Sequence, residues 1–133
     1  MADTVTSQTI QDGENTAILK FTNESDGTGE ASVKKVDVSA LASNSAGKAC
    51  SSVSISRIYW ACRGMGVDIE FDATTNVLAI PLPADSTGDE YYDLFTGIPN
   101  NAGSGVTGDI DFTTVGHSNG DAYSIILVLT KNF

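Results

Sequence analysis

A chain of 133 residues has the length of a single domain, and 41% hydrophobic against 18% charged residues excludes a disordered chain. Seven Lys and Arg against 17 Asp and Glu leave a net charge of −10, and the few basic residues are scattered. That excludes the basic stripe needed to displace counterions from phosphates, so nucleic acid is not an expected partner.

The longest apolar run, residues 125–129, is far too short to span a bilayer, so no membrane partner is expected. Met1-Ala2-Asp3-Thr4 lacks the basic start and apolar stretch of a secretory signal, and the chain is expected to fold in a cytoplasm. Cys50 and Cys62 are too few for a secreted disulfide framework. Cys62, beside Trp60 in a strand-like run, reads as a small buried hydrophobe, and two free thiols are the expectation.

In chain order, residues 1–13 read as a polar arm ending in an Asp12-Gly13 turn, with the domain proper over 14–133. Residues 14–22 place Ala17, Leu19 and Phe21 at period two, which predicts a strand. A turn cluster at 23–29 leads to a second strand over 30–38, with Val36 and Val38 in phase. Residues 39–51 read as a loop with one helical turn near Ala40-Leu41-Ala42. Residues 52–62 form a strand with a phase fault: Val53 and Ile55 point one way, Ile58, Trp60 and Cys62 the other. A bulge near Ser56-Arg57 reconciles them.

Residues 67–72 alternate without fault, Val67, Ile69 and Phe71 inward and Asp68, Glu70 and Asp72 outward. Residues 77–82 put Leu78, Ile80 and Leu82 in phase, and Pro81 and Pro83 demote the segment to a sheet edge. The stretch 84–108 is long and irregular apart from a short strand expected at 91–95. Loops of that length are functional or held by a neighbour. Residues 108–116 and 122–129 flank Asn119-Gly120, which predicts a type I′ hairpin pairing Thr114 with Ile125, Phe112 with Leu127 and Ile110 with Leu129. The opposite face of that hairpin carries Ile126 and Val128 beside Thr113 and Asp111. A solvated face would alternate cleanly, so this one is expected to be covered by a second layer or another subunit.

Eight or nine short strands without a convincing helix predict an all-β, single-domain antiparallel β-sandwich of jelly-roll type.

The chemical motifs read as structural. Gly103-Ser104-Gly105-Val106-Thr107-Gly108 spells G-x-G-x-x-G but leads into a strand rather than a helix, so it is a turn. Asp68, Glu70 and Asp72 could in principle serve glycoside hydrolysis, but alternation on a half-wet strand produces the same pattern. His117 is the single histidine and sits in a turn, which argues against a histidine-based zinc site. No enzyme activity, metal or cofactor is expected. Tyr91 and Tyr92, beside Asp89-Glu90, are candidates for an exposed contact surface, with Phe95 and Ile98 in the same long loop.

Four segments occur in a fixed order: Val53-x-Ile55-x-Arg57-Ile58-x-Trp60, Asp72-Ala73-Thr74-Thr75, Asn100-Asn101-Ala102-Gly103-x-Gly105-x-Thr107-Gly108-Asp109-Ile110-x-Phe112, and Gly120-Asp121-x-Tyr123. In these the chain, over roughly residues 8–131, resembles a family of small virion proteins of tailed bacteriophages. The resemblance implies a jelly-roll head decoration (cement) protein that binds the major capsid protein on the capsid exterior. It also implies a homo-oligomer, with a trimer favoured, and no catalytic residues. Tail or neck placement is the variant of that reading. A lectin-like carbohydrate-binding sandwich using Tyr91 and Tyr92 is the alternative. The contacts expected under the first reading are the arm, the 84–108 loop with Tyr91, Tyr92, Phe95 and Ile98, and the Ile126/Val128 face.

Overall fold

The computed structural model describes residues 3–92 and 97–133. It is a β-sandwich of nine strands: β1 (Thr4–Asp12), β2 (Thr16–Glu24), β3 (Val33–Val36), β4 (Ser52–Arg63), β5 (Gly66–Phe71), β6 (Val77–Leu82), β7 (Thr87–Tyr91), β8 (Ile110–Val115) and β9 (Ala122–Asn132). One sheet has the order β1-β2-β9-β4-β7, the other β3-β8-β5-β6, and every strand pairing is antiparallel. Strands β2 to β9 pair from the outside in: β2 with β9, β3 with β8, β4 with β7, β5 with β6. This is a long hairpin rolled into two sheets, the winding of a jelly roll.

The sequence supports that layering. On β2, β5 and β9, every second side chain is buried, as a strand with one packed face requires. Phe21 from β2 and Tyr123 from β9 meet Phe112 of the opposite sheet edge-to-face, with ring centroids 5.3 and 5.9 Å apart. The bulge expected in β4 lies at Ser56. Ile55 pairs with Leu129 and Arg57 with Val128, so Ser56 is the extra residue and both Ile55 and Ile58 are fully buried.

Four expectations need correcting. First, β8 and β9 are not a hairpin. They lie in different sheets, and Ile125 pairs with Phe21 and Trp60, not with Thr114. Of the two turn residues only Gly120 has positive φ, 92°, whereas a type I′ turn needs it at both. The segment instead crosses the end of the sandwich, held by Gly120 N–H to Ser25 O at 2.9 Å and Ser25 N–H to Asp121 O at 2.7 Å. The core-facing side is nevertheless the expected one, because Ile110, Phe112, Ile125, Leu127 and Leu129 are all fully buried.

Second, the arm expected at residues 1–13 is, over Thr4–Asp12, an edge strand with its own register on β2. Third, Leu78 points outward and is 51% exposed. A bulge at Ala79 shifts the phase, so that Val77 pairs with Phe71 and Leu78 with Glu70. β6 is nevertheless the sheet edge that its prolines predict. Fourth, residues 87–90, read as irregular, belong to a strand, Thr87–Tyr91; of the strand expected at 91–95, residues 93–95, including Phe95, lie outside the described residues.

Both cysteines are free and buried. Burial pushes the Cys62 thiol up to about 11 and raises Cys50 as well. Burial thus disfavours the nucleophilic thiolate of both. In native buffer an aromatic disulfide reagent should titrate neither thiol within minutes, and both after denaturation. Rapid native reaction would show that one of them reaches solvent.

Candidate interaction surfaces

The outer face of the five-stranded sheet brings together three of the residues picked from sequence. Registers across β2, β9, β4 and β7 define two rows: Ile18, Val128, Arg57, Tyr91, and Lys20, Ile126, Tyr59, Asp89. Ile126 and Val128 are half-buried and Tyr91 is 54% exposed. Arg57 is the hub. Its guanidinium lies 4.6 Å from the Tyr59 ring centre and 4.5 Å from that of Tyr91. It also donates two hydrogen bonds to Asp89, at 3.0 and 2.8 Å. Those hydrogen bonds hold the Asp89 carboxyl below its usual range and raise Arg57 above its own. Both groups are exposed enough that water screens the pair, so it fixes side-chain geometry more than it stabilises the fold.

A shallow depression of about 460 Å³ adjoins this face, lined by Tyr59, Trp60, Gly88, Asp89 and Ile126 among others. Trp60 itself belongs to the edge of the core. Its ring lies over Gly88, where any Cβ would overlap it, and its Nε1 donates to Ser86 Oγ at 3.0 Å.

Tyr92 and Ile98 are not part of the exposed face. Both pack against the core. Ile98 makes a two-way backbone bridge with Ile55, at 3.0 and 2.9 Å, and the Tyr92 amide donates to Ser56 O at the β4 bulge. The long loop is therefore stitched onto the bulged strand. Sequence reading misses Arg57 and Ile18, because only the cross-strand register reveals them as neighbours of Ile126 and Val128.

The opposite face, on the four-stranded sheet, is acidic. Asp68 and Glu70 project from β5 as the alternation predicts, each half-buried. Glu70 accepts from Thr113 Oγ1 at 2.9 Å, and Asp72 accepts from Thr107 Oγ1 at 2.7 Å. Asp111 of β8, 4% exposed, sits against Asp72 and Asn76. Burial first, then the hydrogen bond shared with Asp72, push Asp111 up to about 6. Asp109 is held by Lys34 at 2.9 Å and accepts from the Val38 amide at 2.9 Å. Among the described residues, no group of three or more His, Cys, Asp or Glu side chains could hold a metal ion.

The G-x-G-x-x-G stretch is a turn. Gly105 and Gly108 have φ of 77° and 87°, and a Cβ on Gly108 would overlap the Ser51 carbonyl oxygen. His117 contacts Thr114 Oγ1 through Nδ1 at 3.1 Å, with its ring over Gly29.

Compared with models of protein families and with curated protein sequences, the chain matches none.

Proposed function

We infer that this chain is a structural protein of a tailed-bacteriophage virion, a cement protein that decorates the capsid exterior by binding the major capsid protein. The observation that carries the reading is the outer face of the five-stranded sheet, where Ile18, Ile126, Val128, Tyr59 and Tyr91 are displayed around Arg57. A strand face meant only for water alternates to polar residues. An aromatic and aliphatic centre with an arginine is the composition of a protein contact. The jelly-roll winding and the sequence resemblance support the same reading. Threefold self-association around a shell axis is the arrangement this reading favours, and a tail or neck position is its variant.

The test is co-sedimentation with shells that lack the protein. The wild-type chain should sediment with them, and Ile126→Asp should lose at least tenfold in affinity while keeping its circular dichroism. Equal attachment of the folded variant would remove this face from the interface. No attachment of the wild type to heads would shift the reading to tails or away from virions. Native mass across a concentration series checks the trimer.

One observation favours a second reading, a carbohydrate-binding module. Tyr59 and Tyr91 flank a paired Arg57 and Asp89 beside the shallow depression, an arrangement that could stack and hydrogen-bond a sugar. That reading requires glycan binding that Tyr91→Ala abolishes, and a glycan array without any binding rejects it.

A further inference from the structure

The sandwich has four sheet edges, and three are blunted. β7 is five residues long and carries Asp89 and Glu90. β3 is four residues long and carries Lys34 and Lys35. β6 contains Pro81 and a bulge at Ala79. Short edges, charges, prolines and bulges are the devices by which sheets avoid pairing with other chains. β1 is different. It runs nine residues, Thr4–Asp12, and is exposed over nearly its whole length. From Thr4 to Gln11 it has neither a charge nor a proline. Its one irregularity, at Ile10, leaves six consecutive paired residues before it.

The edge is also held rigidly. At one end the Asp3 carboxylate accepts from Asn23 Nδ2 at 3.0 Å and from the Asp26 and Gly29 amides at 3.2 Å. At the other, Asp12 binds the Nζ of Lys131, whose side chain has no solvent exposure. Beside the strand opens a cavity of about 150 Å³, with Ser7, Thr9, Leu19, Phe21 and Leu41 in its walls. Strand addition combines such parts: backbone groups supply affinity, and a pocket for alternate side chains supplies selectivity. A fixed edge also avoids the ordering cost of a loose arm.

We propose that β1 takes an extended segment of a partner protein as a sixth strand of the five-stranded sheet, and that this segment is uncharged in its middle with Lys or Arg at its ends. Charge selects that occupant. The neutral run is flanked by Asp3, Glu24 and Asp26 at one end and by Glu14 at the other, where Asp12 is already neutralised by Lys131. A second copy would add antiparallel to β1 with the same acids at its ends, and with a net charge of −10 on each chain. A basic-ended segment meets the acids with opposite charge. The proposal does not depend on the capsid reading, since any protein can present such a segment.

The test uses the full chain and two synthetic peptides of nine residues, each with alternating Thr and Val in the middle, one with Lys at both ends and one with Glu. Hydrogen exchange is followed by residue. The Lys-ended peptide should slow exchange of amides within residues 4–11 at least tenfold at millimolar concentration. Raising the salt should weaken the effect, and the Glu-ended peptide should give at least tenfold less protection. Unchanged exchange of those amides at millimolar Lys-ended peptide overturns the proposal. Equal protection by both peptides overturns its charge part. If the protein alone doubles its native mass with β1 protected, more so at high salt, the occupant is a second copy and the assigned partner is wrong.

Discussion

Glu30→Gln should destabilise the domain by about 3–5 kcal/mol, the cost of leaving one member of a buried ion pair alone. Glu30 and Lys35 form an ion pair with each side chain only 5% exposed. The Glu30 Oε1 also accepts from Tyr123 Oη at 2.6 Å and from Asn23 Nδ2 at 2.8 Å. Burial, then the hydrogen bond to Glu30, raise Tyr123 well above the ordinary phenol range, so it remains a donor at any working pH. The backbone on both sides is fixed too, since the Glu30 amide donates to Thr114 Oγ1 at 2.8 Å and the Thr114 amide to Glu30 O at 2.9 Å. Glutamine can still accept from Tyr123 and Asn23, but it cannot neutralise Lys35.

For a domain of ordinary stability, about 5–15 kcal/mol, that loss is a large fraction of the total. Adding Lys35→Met to Glu30→Gln should recover most of it, because replacing both charges removes the uncompensated one. Urea unfolding of the single and double variants measures the two steps. A single-variant loss below about 1 kcal/mol would mean that Lys35 reaches water instead.

How much of this is legible in the sequence follows from how local each signal is. The alternation of Val67, Ile69 and Phe71 against Asp68 and Glu70 reports one buried and one wet face, and that information lies within a single short strand. The bulge at Ser56 is readable because two apolar runs in opposite phase meet there, and only an extra residue reconciles them. The bulge at Ala79 leaves no such trace. Val77, Leu78, Ala79 and Ile80 are all apolar, so either phase fits.

Asn119-Gly120 misleads because a turn motif reports that the chain reverses, not which sheet the next strand joins. In this rolled hairpin β9 is already committed to β2 and β4. Ile126 and Val128 stand out through their broken alternation. Their neighbours Ile18, Arg57 and Tyr59 come from strands far away in the chain and depend on a register that the hairpin reading gets wrong. Glu30 and Lys35 are invisible for a related reason. A charged letter in a strand is read as solvent-facing, and only a partner delivered from a distant position, here Tyr123, offsets the cost of burying it.

Asp111 governs the second large effect, which depends on pH. Its Oδ2 accepts from Asn76 Nδ2 at 3.1 Å, and its Oδ1 is buried with no donor among the described residues. The Asp72 carboxyl lies against it, while Lys34, paired with Asp109, offsets only part of the charge. Burial first, then the hydrogen bond with Asp72, favour the protonated form of Asp111, so the folded state holds that proton up to about pH 6, against 3.8 for an unperturbed aspartate. The sign follows from which state binds the proton. Between those two values the folded chain keeps a proton that the unfolded chain has released. Stability from this group is complete below pH 3.8 and is lost as pH rises to about 6. Each tenfold difference in proton affinity between the folded and unfolded chain is worth about 1.4 kcal/mol, so the loss amounts to a few kcal/mol.

The carboxylates of Asp3 and Asp12 act in the opposite direction. Burial works to raise both, but hydrogen bonds outweigh it, from Asn23, Asp26 and Gly29 to Asp3 and from Lys131 and Ala42 to Asp12. Their contribution is lost only as pH falls below the ordinary carboxylate range. Asp111→Asn replaces the carboxyl proton with an amide donor that does not titrate. Its melting temperature should match the wild type near pH 4 and exceed it by several degrees at pH 8. The same difference in melting temperature at both pH values would show that Asp111 does not keep its proton in the folded state.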